Sequence, residues 1–97
     1  MKIPDKIKIS GIDYKIEIAK DYTDDMNEAE NRGRVVFRKG VIRILESYFP
    51  ESKSRTLLHE IIHILDDDLD LDLTEQTIRR LTSGLYQVLK DNSLLKE

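Results

Sequence analysis

The chain has no cysteine among its 97 residues, and this absence excludes two kinds of site. Without thiols the protein can form neither a disulfide bond nor a metal site with thiolate ligands. A chain without disulfides fits a reducing compartment, and we expect a cytoplasmic protein. Any transition-metal site must therefore be built from histidine, aspartate or glutamate side chains.

Long apolar runs and an excess of positive charge are also missing. No stretch approaches the roughly 20 apolar residues of a membrane span, and the first residues, 1–5, do not resemble a signal peptide. The net charge of -3 gives no sign of the basic stripe that nucleic-acid-binding proteins usually carry. With 39% hydrophobic and 36% charged residues, we expect one globular domain over residues 1–97, with no membrane or nucleic-acid partner.

Histidine is scarce as well, but the 2 histidines present lie in one short segment, His59-Glu60-Ile61-Ile62-His63. On an α-helix, residues four apart share a face and are separated by about 6 Å along the axis. Two imidazoles in this arrangement can bind one Zn²⁺, and Glu60 can reach a water molecule on the same ion. The alternative is a pair of ordinary core histidines that are satisfied by hydrogen bonds. The pattern favours a zinc site.

A catalytic zinc site needs a third protein ligand, and with no other histidine and no cysteine a carboxylate must supply it. Asp67 follows His63 on the same predicted helix, but ligands from consecutive turns of one rigid helix give poor tetrahedral geometry. Glu75 is better placed, because it follows a short loop and approaches from the start of a second helix. We predict His59, His63 and Glu75 as ligands, with Asp72 and Asp67 as alternatives for the third.

Hydrophobic periodicity predicts an α+β fold in which a small antiparallel sheet of three to four strands precedes two helices. Alternating apolar and polar residues indicate two strands within residues 6–19, with turn material at 10–13. Gly40 is expected to join a second hairpin, made by residues 34–38 and 41–45. A helix over about residues 51–68 would carry the histidines, and another would cover about residues 74–92. The sheet region is thus 6–45 and the two-helix metal-site region 51–92.

Packing roles follow from the same patterns. The first helix has too many apolar residues for a single stripe, so we expect it to be covered on most sides. In the second helix the residues expected to face inward are Ile78, Leu81, Leu85, Val88 and Leu89. Gly84 is expected to permit close packing against the first helix. Asp72 or Thr74 would cap the second helix, and Asp72 and Glu75 together would fit a capping box.

Beyond the histidine pair, a longer residue pattern extends over about residues 55–92. It consists of His59-Glu60-Ile61-Ile62-His63-Ile64-Leu65-Asp66, followed by Leu71-x-Leu73-x-Glu75-x-x-Ile78-x-x-Leu81-x-x-Gly84-Leu85-Tyr86. In this segment the chain resembles small phage and prophage proteins, which are similar to the minimal gluzincin metallopeptidases and, more loosely, to ImmA/IrrE-type metallopeptidases. The resemblance implies a minimal zincin-like fold, a zinc site with His59, His63 and Glu75 as ligands, and Glu60 as the general base.

We therefore expect a zinc-dependent metallopeptidase that hydrolyses peptide bonds in a peptide or protein substrate, with Glu60 activating the metal's water. If the strand of residues 41–45 is a free edge, it could hold an extended peptide by strand addition. Residue type makes Tyr48, Arg79 and Tyr86 candidates for stabilising an oxyanion. The alternative is a non-catalytic zinc-binding module of phage type that regulates or binds another protein, and a third hypothesis is a helical scaffold without metal.

Overall fold

A computed structural model describes residues 2–20, 33–46 and 50–95, and it confirms the α+β class. The elements are β1 (Lys6–Ile9), β2 (Ile12–Ala19), β3 (Gly33–Val36), β4 (Val41–Leu45), α1 (Pro50–Leu69) and α2 (Glu75–Asp91). Both helices agree with their predicted spans to within one residue at each end. Neither helix in these ranges is long and apolar enough to cross a membrane.

The sheet is mixed, so the prediction of a wholly antiparallel sheet is wrong. Its strand order is β1-β2-β4-β3: each hairpin is antiparallel, but β2 and β4 pair in parallel. The parallel pair joins the two hairpins and places β4 in the interior of the sheet. The side chains of β4 explain this position, because Ile42 and Ile44 are completely buried. An interior strand can cover such apolar residues better than an edge strand can.

Residues with positive φ close both hairpins. Ser10 (φ 51°) and Gly11 (φ 81°) form a two-residue turn, which matches the twist of antiparallel strands. The turn is therefore shorter than the predicted 10–13, and the following residues belong to β2. In the second hairpin, β3 ends at Val36 and a 3₁₀ turn over Phe37–Lys39 leads to Gly40, whose φ is 61°. The predicted strand of residues 34–38 is accordingly shorter by two residues at its end.

The hydrophobic core lies between one face of the sheet and α1. Its buried members are Ile9, Tyr14, Ile16, Ile42, Ile44, Leu57 and Ile64. Leu57 and Ile64 lie seven residues apart, two helical turns, so both point from α1 toward the sheet. The prediction that α1 is covered on most sides holds for its middle but fails at its end, where Leu69 is 61% exposed. The histidine segment lies in the covered middle.

The start of α2 is capped by one of the two predicted residues. The Thr74 hydroxyl accepts a hydrogen bond from the backbone N–H of Thr77 at 3.1 Å, which satisfies one of the free donors of the first turn. Because Thr74 is the N-cap, the predicted capping box between Asp72 and Glu75 does not form. Glu75 is instead the first residue of α2, and its carboxylate is available for other contacts.

The buried face of α2 agrees with the prediction only in part. Its buried residues are Ile78, Thr82 and Tyr86, whereas Leu81, Leu85 and Val88 are 49%, 43% and 54% exposed. The predicted inward positions are thus wrong for three residues. Within the described ranges, α2 packs mainly against α1, so a single narrow stripe is covered. Gly84 is exposed, and a Cβ atom built on it would meet nothing within 4 Å, so the predicted close approach to α1 is also wrong.

Candidate metal centre

The two histidines lie on the same face of α1, one turn apart. The distance between Nε2 of His59 and Nε2 of His63 is 3.1 Å, and the ring centroids are 4.8 Å apart. Both side chains are partly buried, with 20% and 31% of their surface exposed. The helix thus directs the same ring nitrogen of each imidazole to a common point at its surface.

The carboxylate of Glu75 meets both imidazoles at that point. Its Oε1 lies 2.9 Å from Nε2 of His59, and its Oε2 lies 3.0 Å from Nε2 of His63. Glu75 comes from the first turn of α2, so the three side chains come from two helices. Among the residues that the structure describes, the group that could hold a metal ion consists of these three, with ligand atoms within 4.8 Å of one another.

The turn between the helices brings Glu75 to α1. One carboxylate oxygen of Asp66 accepts a hydrogen bond from the backbone N–H of Leu73 at 2.9 Å, which ties the loop back to the end of α1. Asp70 and Asp72 take positive φ values of 52° and 56°, a conformation that aspartate tolerates better than most residues. Of the alternative third ligands, Asp67 lines the nearby cleft and Asp72 is exposed in the loop, and neither belongs to the group.

The donor set fits a small divalent ion. Two ligands of a tetrahedral ion lie roughly 3.4 Å apart when each bond is about 2.1 Å. The three atom pairs here are separated by 2.9, 3.0 and 3.1 Å, which is close to that spacing. A neutral imidazole is required for metal binding, and burial lowers the pKa of His59, with the neighbouring His63 adding to the effect and Glu75 opposing it. These side chains could therefore hold a metal ion.

Glu60 lies beside this group but is not a member of it. The side chain is buried, with 6% of its surface exposed, and it lines the same cleft as the histidines and Glu75. Burial raises the pKa of Glu60 from 4.5 to about 7, and the negative charge of Glu75 adds to the effect. A carboxyl group with a pKa near neutrality can both accept and return a proton.

The cleft has a volume of about 520 Å³ and runs between β3 and the two helices. Its lining from the sheet is Gly33, Arg34 and Val35, followed by Phe37 from the 3₁₀ turn. In the described ranges β3 pairs only with β4, so β3 lies at an edge of the sheet and β4 does not. The predicted role of residues 41–45 as an edge for an extended peptide is therefore wrong, because β4 pairs on both sides.

Of the predicted oxyanion-stabilising residues, Arg79 is the one that lines the cleft. Its Nε lies 3.5 Å from Oε1 of Glu75, one turn earlier on α2. Tyr86 is buried two turns further along, where the Arg55 guanidinium lies 5.4 Å from its ring centroid. Tyr48 lies outside the described residues. Sequence reasoning missed Thr82, whose hydroxyl lies 3.4 Å from Nδ1 of His59; a polar residue in the buried stripe of α2 is the signal that could have found it.

Gly33 allows β3 to approach α1 beneath the site. A Cβ atom at Gly33 would overlap Cγ2 of Thr56, and it would lie 3.1 Å from the carbonyl oxygen of Arg43 and 3.3 Å from Cγ of Glu60. Two of these atoms belong to α1 side chains and one to the backbone of β4. The close approach of the edge strand to Glu60 thus depends on the missing side chain.

We expect Gly33→Ala to destabilise the protein by about 1–3 kcal/mol, the usual cost of an overpacked site. Without the clash, alanine would be favoured over glycine in a strand. In a Thr56→Ser background, which lacks Cγ2, part of this loss should be recovered. Urea unfolding of the single and double variants measures the coupling between the two positions. An equally stable Gly33→Ala protein would contradict the close approach.

Comparison with known proteins identified no relative of this chain. No family model, no curated protein and no solved structure matches the chain. The resemblance to phage-type metallopeptidases therefore stays a prediction from the residue pattern, and the function is inferred from the geometry of His59, His63, Glu75 and Glu60.

Proposed function

We propose that the protein is a zinc-dependent metallopeptidase of gluzincin-like layout, in which His59, His63 and Glu75 hold the ion. The observation that carries the proposal is the meeting of two imidazole Nε2 atoms and one carboxylate at 2.9–3.1 Å, next to a buried carboxyl group outside that set. Two nitrogen ligands and one oxygen ligand suit Zn²⁺, and three protein ligands leave a position open for chemistry.

When bound, the ion supplies a Lewis acid that lowers the pKa of water and polarises a carbonyl group. Glu60 has the complementary task, since it accepts a proton from the attacking water and passes it to the amine nitrogen as the C–N bond breaks. The Glu60 side chain is buried next to Gly33, in the same cleft that His59, His63 and Glu75 line. The sum is hydrolysis of one peptide bond by one water molecule.

The substrate that fits the cleft is an extended peptide or protein segment. β3 lies at one edge of the sheet formed by the described strands and lines the cleft, and an extended chain can add to a sheet edge through main-chain hydrogen bonds. Arg79 lines the same cleft with its guanidinium near Glu75, where it can meet the charge that develops on a carbonyl oxygen. In this proposal three features make the fold zincin-like: the edge strand β3, the helix α1 with its two histidines, and Glu75 of α2.

A second candidate is a non-catalytic zinc-binding module of phage type that regulates or binds another protein. The exposed apolar residues Leu81, Leu85 and Val88 on α2 favour it, because surface groups of this kind are common at interaction sites. Glu60 favours the peptidase, since a purely structural zinc site has no use for a buried carboxyl group that costs free energy when ionised. The two candidates share the metal site and differ in whether the protein cleaves peptides.

Zinc content and chelator-sensitive cleavage test the proposal together. The purified protein is expected to contain one zinc ion per chain and to cleave an unfolded protein substrate, and a chelator should abolish cleavage until zinc is restored. If the protein contains zinc but no preparation cleaves the substrate, the non-catalytic zinc-binding module is the candidate that remains. A protein that binds no zinc and ignores chelators would exclude both.

The third ligand has its own test with a matched control. We expect Glu75→Gln to weaken zinc binding by more than about 100-fold, because loss of a mere hydrogen-bond partner of a ligand already costs about 10- to 100-fold. Asp67→Asn removes a cleft carboxylate outside the group and should leave zinc affinity unchanged. Competition with a chelating dye measures both affinities. The reverse ranking of the two variants would assign the third ligand to Asp67.

A further inference from the structure

Thr82 is a polar residue in the buried stripe that α2 presents to α1. Its residue surface is 5% exposed, and its neighbours on the same stripe are Ile78 and Tyr86. A hydroxyl group in such a place costs free energy unless its hydrogen bonds are made. The Thr82 Oγ1 atom lies 2.8 Å from the carbonyl oxygen of Ile78 and 3.4 Å from Nδ1 of His59.

The hydroxyl has one proton, and its two neighbours differ in what they can offer. The carbonyl oxygen of Ile78 can only accept, so the Thr82 hydroxyl donates its proton there. Toward His59 the hydroxyl oxygen then offers a lone pair, and a hydrogen bond requires that Nδ1 of His59 carries the proton. A neutral imidazole with its proton on Nδ1 has a free lone pair on Nε2.

The lone pair on Nε2 is the one that the metal site needs. Nε2 of His59 is the atom that lies 2.9 Å from Glu75 and 3.1 Å from Nε2 of His63. We propose that Thr82 is a positioning residue that holds His59 in the Nδ1–H tautomer and in the ring orientation that directs Nε2 to the metal. The proposal rests on the zinc site of the proposed function.

In this arrangement α2 contributes to the site at two positions. Glu75 and Thr82 are seven residues apart on α2, so they lie two turns apart on one helix face. Glu75 acts directly as a ligand, whereas Thr82 acts through His59. Packing of one helix against the other thus sets the position of one ligand and the tautomer of another.

Zinc affinity of three variants tests the role of the hydroxyl. Thr82→Val keeps the shape of the side chain and removes the hydroxyl, and we expect it to bind zinc about 10- to 100-fold more weakly. Thr82→Ser keeps the hydroxyl and should restore affinity to nearly the native value. Ser83→Ala, which removes the neighbouring hydroxyl that contacts Arg55, serves as the control and should change nothing. Native zinc affinity in the Thr82→Val protein would overturn the proposal.

A tautomer measurement separates this proposal from the zinc site itself. In metal-free protein with ¹⁵N-labelled histidine, NMR shifts at about pH 8 report which ring nitrogen carries the proton. The three proteins are compared in a Glu75→Ala background, because the Glu75 carboxylate can only accept a proton and so favours Nε2–H on His59 when no metal is bound. In this background the Nδ1–H fraction of His59 should be larger with Thr82 or Thr82→Ser than with Thr82→Val. Equal fractions in all three would refute the Thr82 contact. A native protein that binds no zinc would refute the proposed function instead.

Discussion

Replacing Glu60 with glutamine is expected to reduce peptide cleavage by about 10²- to 10⁴-fold, the usual contribution of a general acid–base group. Glutamine has nearly the shape of glutamate but cannot take up a proton from water at neutral pH. The loss should appear in kcat, with KM little changed, because Glu60 lies outside the group that would hold the metal.

Zinc content is the decisive companion measurement for this variant. The Glu60→Gln protein should retain one zinc ion per chain, since none of the three proposed ligands is altered. Asp67→Asn is the matched control, as it removes another carboxylate from the same cleft and should cleave at close to the native rate. An active Glu60→Gln protein would remove Glu60 from the mechanism, and a zinc-free one would show that the side chain is needed to build the site.

The second large effect concerns the stability of the metal-free protein. Glu60 has a pKa of about 7 in the folded state against 4.5 in its ordinary surroundings, because burial penalises the carboxylate. Below about pH 4.5 the group is protonated in both states and makes no difference to stability. As the pH rises, the unfolded state loses its proton first, so unfolding becomes easier until the folded state also ionises near pH 7. The accumulated loss is about 3 kcal/mol.

Comparison with Glu60→Gln isolates this contribution from those of the other titrating groups. Between about pH 4.5 and 7, the free energy of unfolding of the metal-free native protein should fall relative to that of the variant. Above pH 7 the difference should be constant, shifted by about 3 kcal/mol in favour of glutamine from its value below about pH 4.5. Urea unfolding in the presence of a chelator measures it across the pH range. Parallel curves for the two proteins would contradict the burial of an ionisable group at this position.

Bound zinc should suppress this pH dependence. A cation near Glu60 favours its charged form, which offsets the cost of burial. The native protein with zinc is therefore expected to keep its stability between about pH 6 and 7, where the metal-free protein still loses stability as the pH rises. Comparing the pH dependence of unfolding with and without zinc therefore tests whether Glu60 lies close to the metal, and it requires no substrate.

Local sequence signals determined both helices. Pro50 and the threonine cap at position 74 mark where the helices begin, and the predicted and observed ends differ by one residue. The four-residue spacing of His59 and His63 also predicted that both imidazoles lie on one helix face. Each of these features depends on backbone geometry over a few neighbouring residues, which a single sequence displays directly.

Contacts between distant segments decided the rest. The strand pattern did not show that β4 would lie between β2 and β3, because strand order depends on which apolar residues the whole sheet must bury. Periodicity predicted a stripe of α2 that includes Leu81 and Leu85, whereas packing against α1 buries the stripe that contains Thr82 and leaves Leu85 exposed. The loop between the helices, held by Asp66, brought Glu75 rather than Asp72 to the histidines.

The sequence alone therefore determined that two imidazoles and a neighbouring carboxyl group share one helix, since helical periodicity requires it. Only the tertiary structure decided that Glu75 meets the imidazoles, that Glu60 is buried beneath an edge strand, and that Thr82 lies behind His59. These relations join residues 12 to 27 positions apart in the chain, and the distances between them arise from the packing of separate elements.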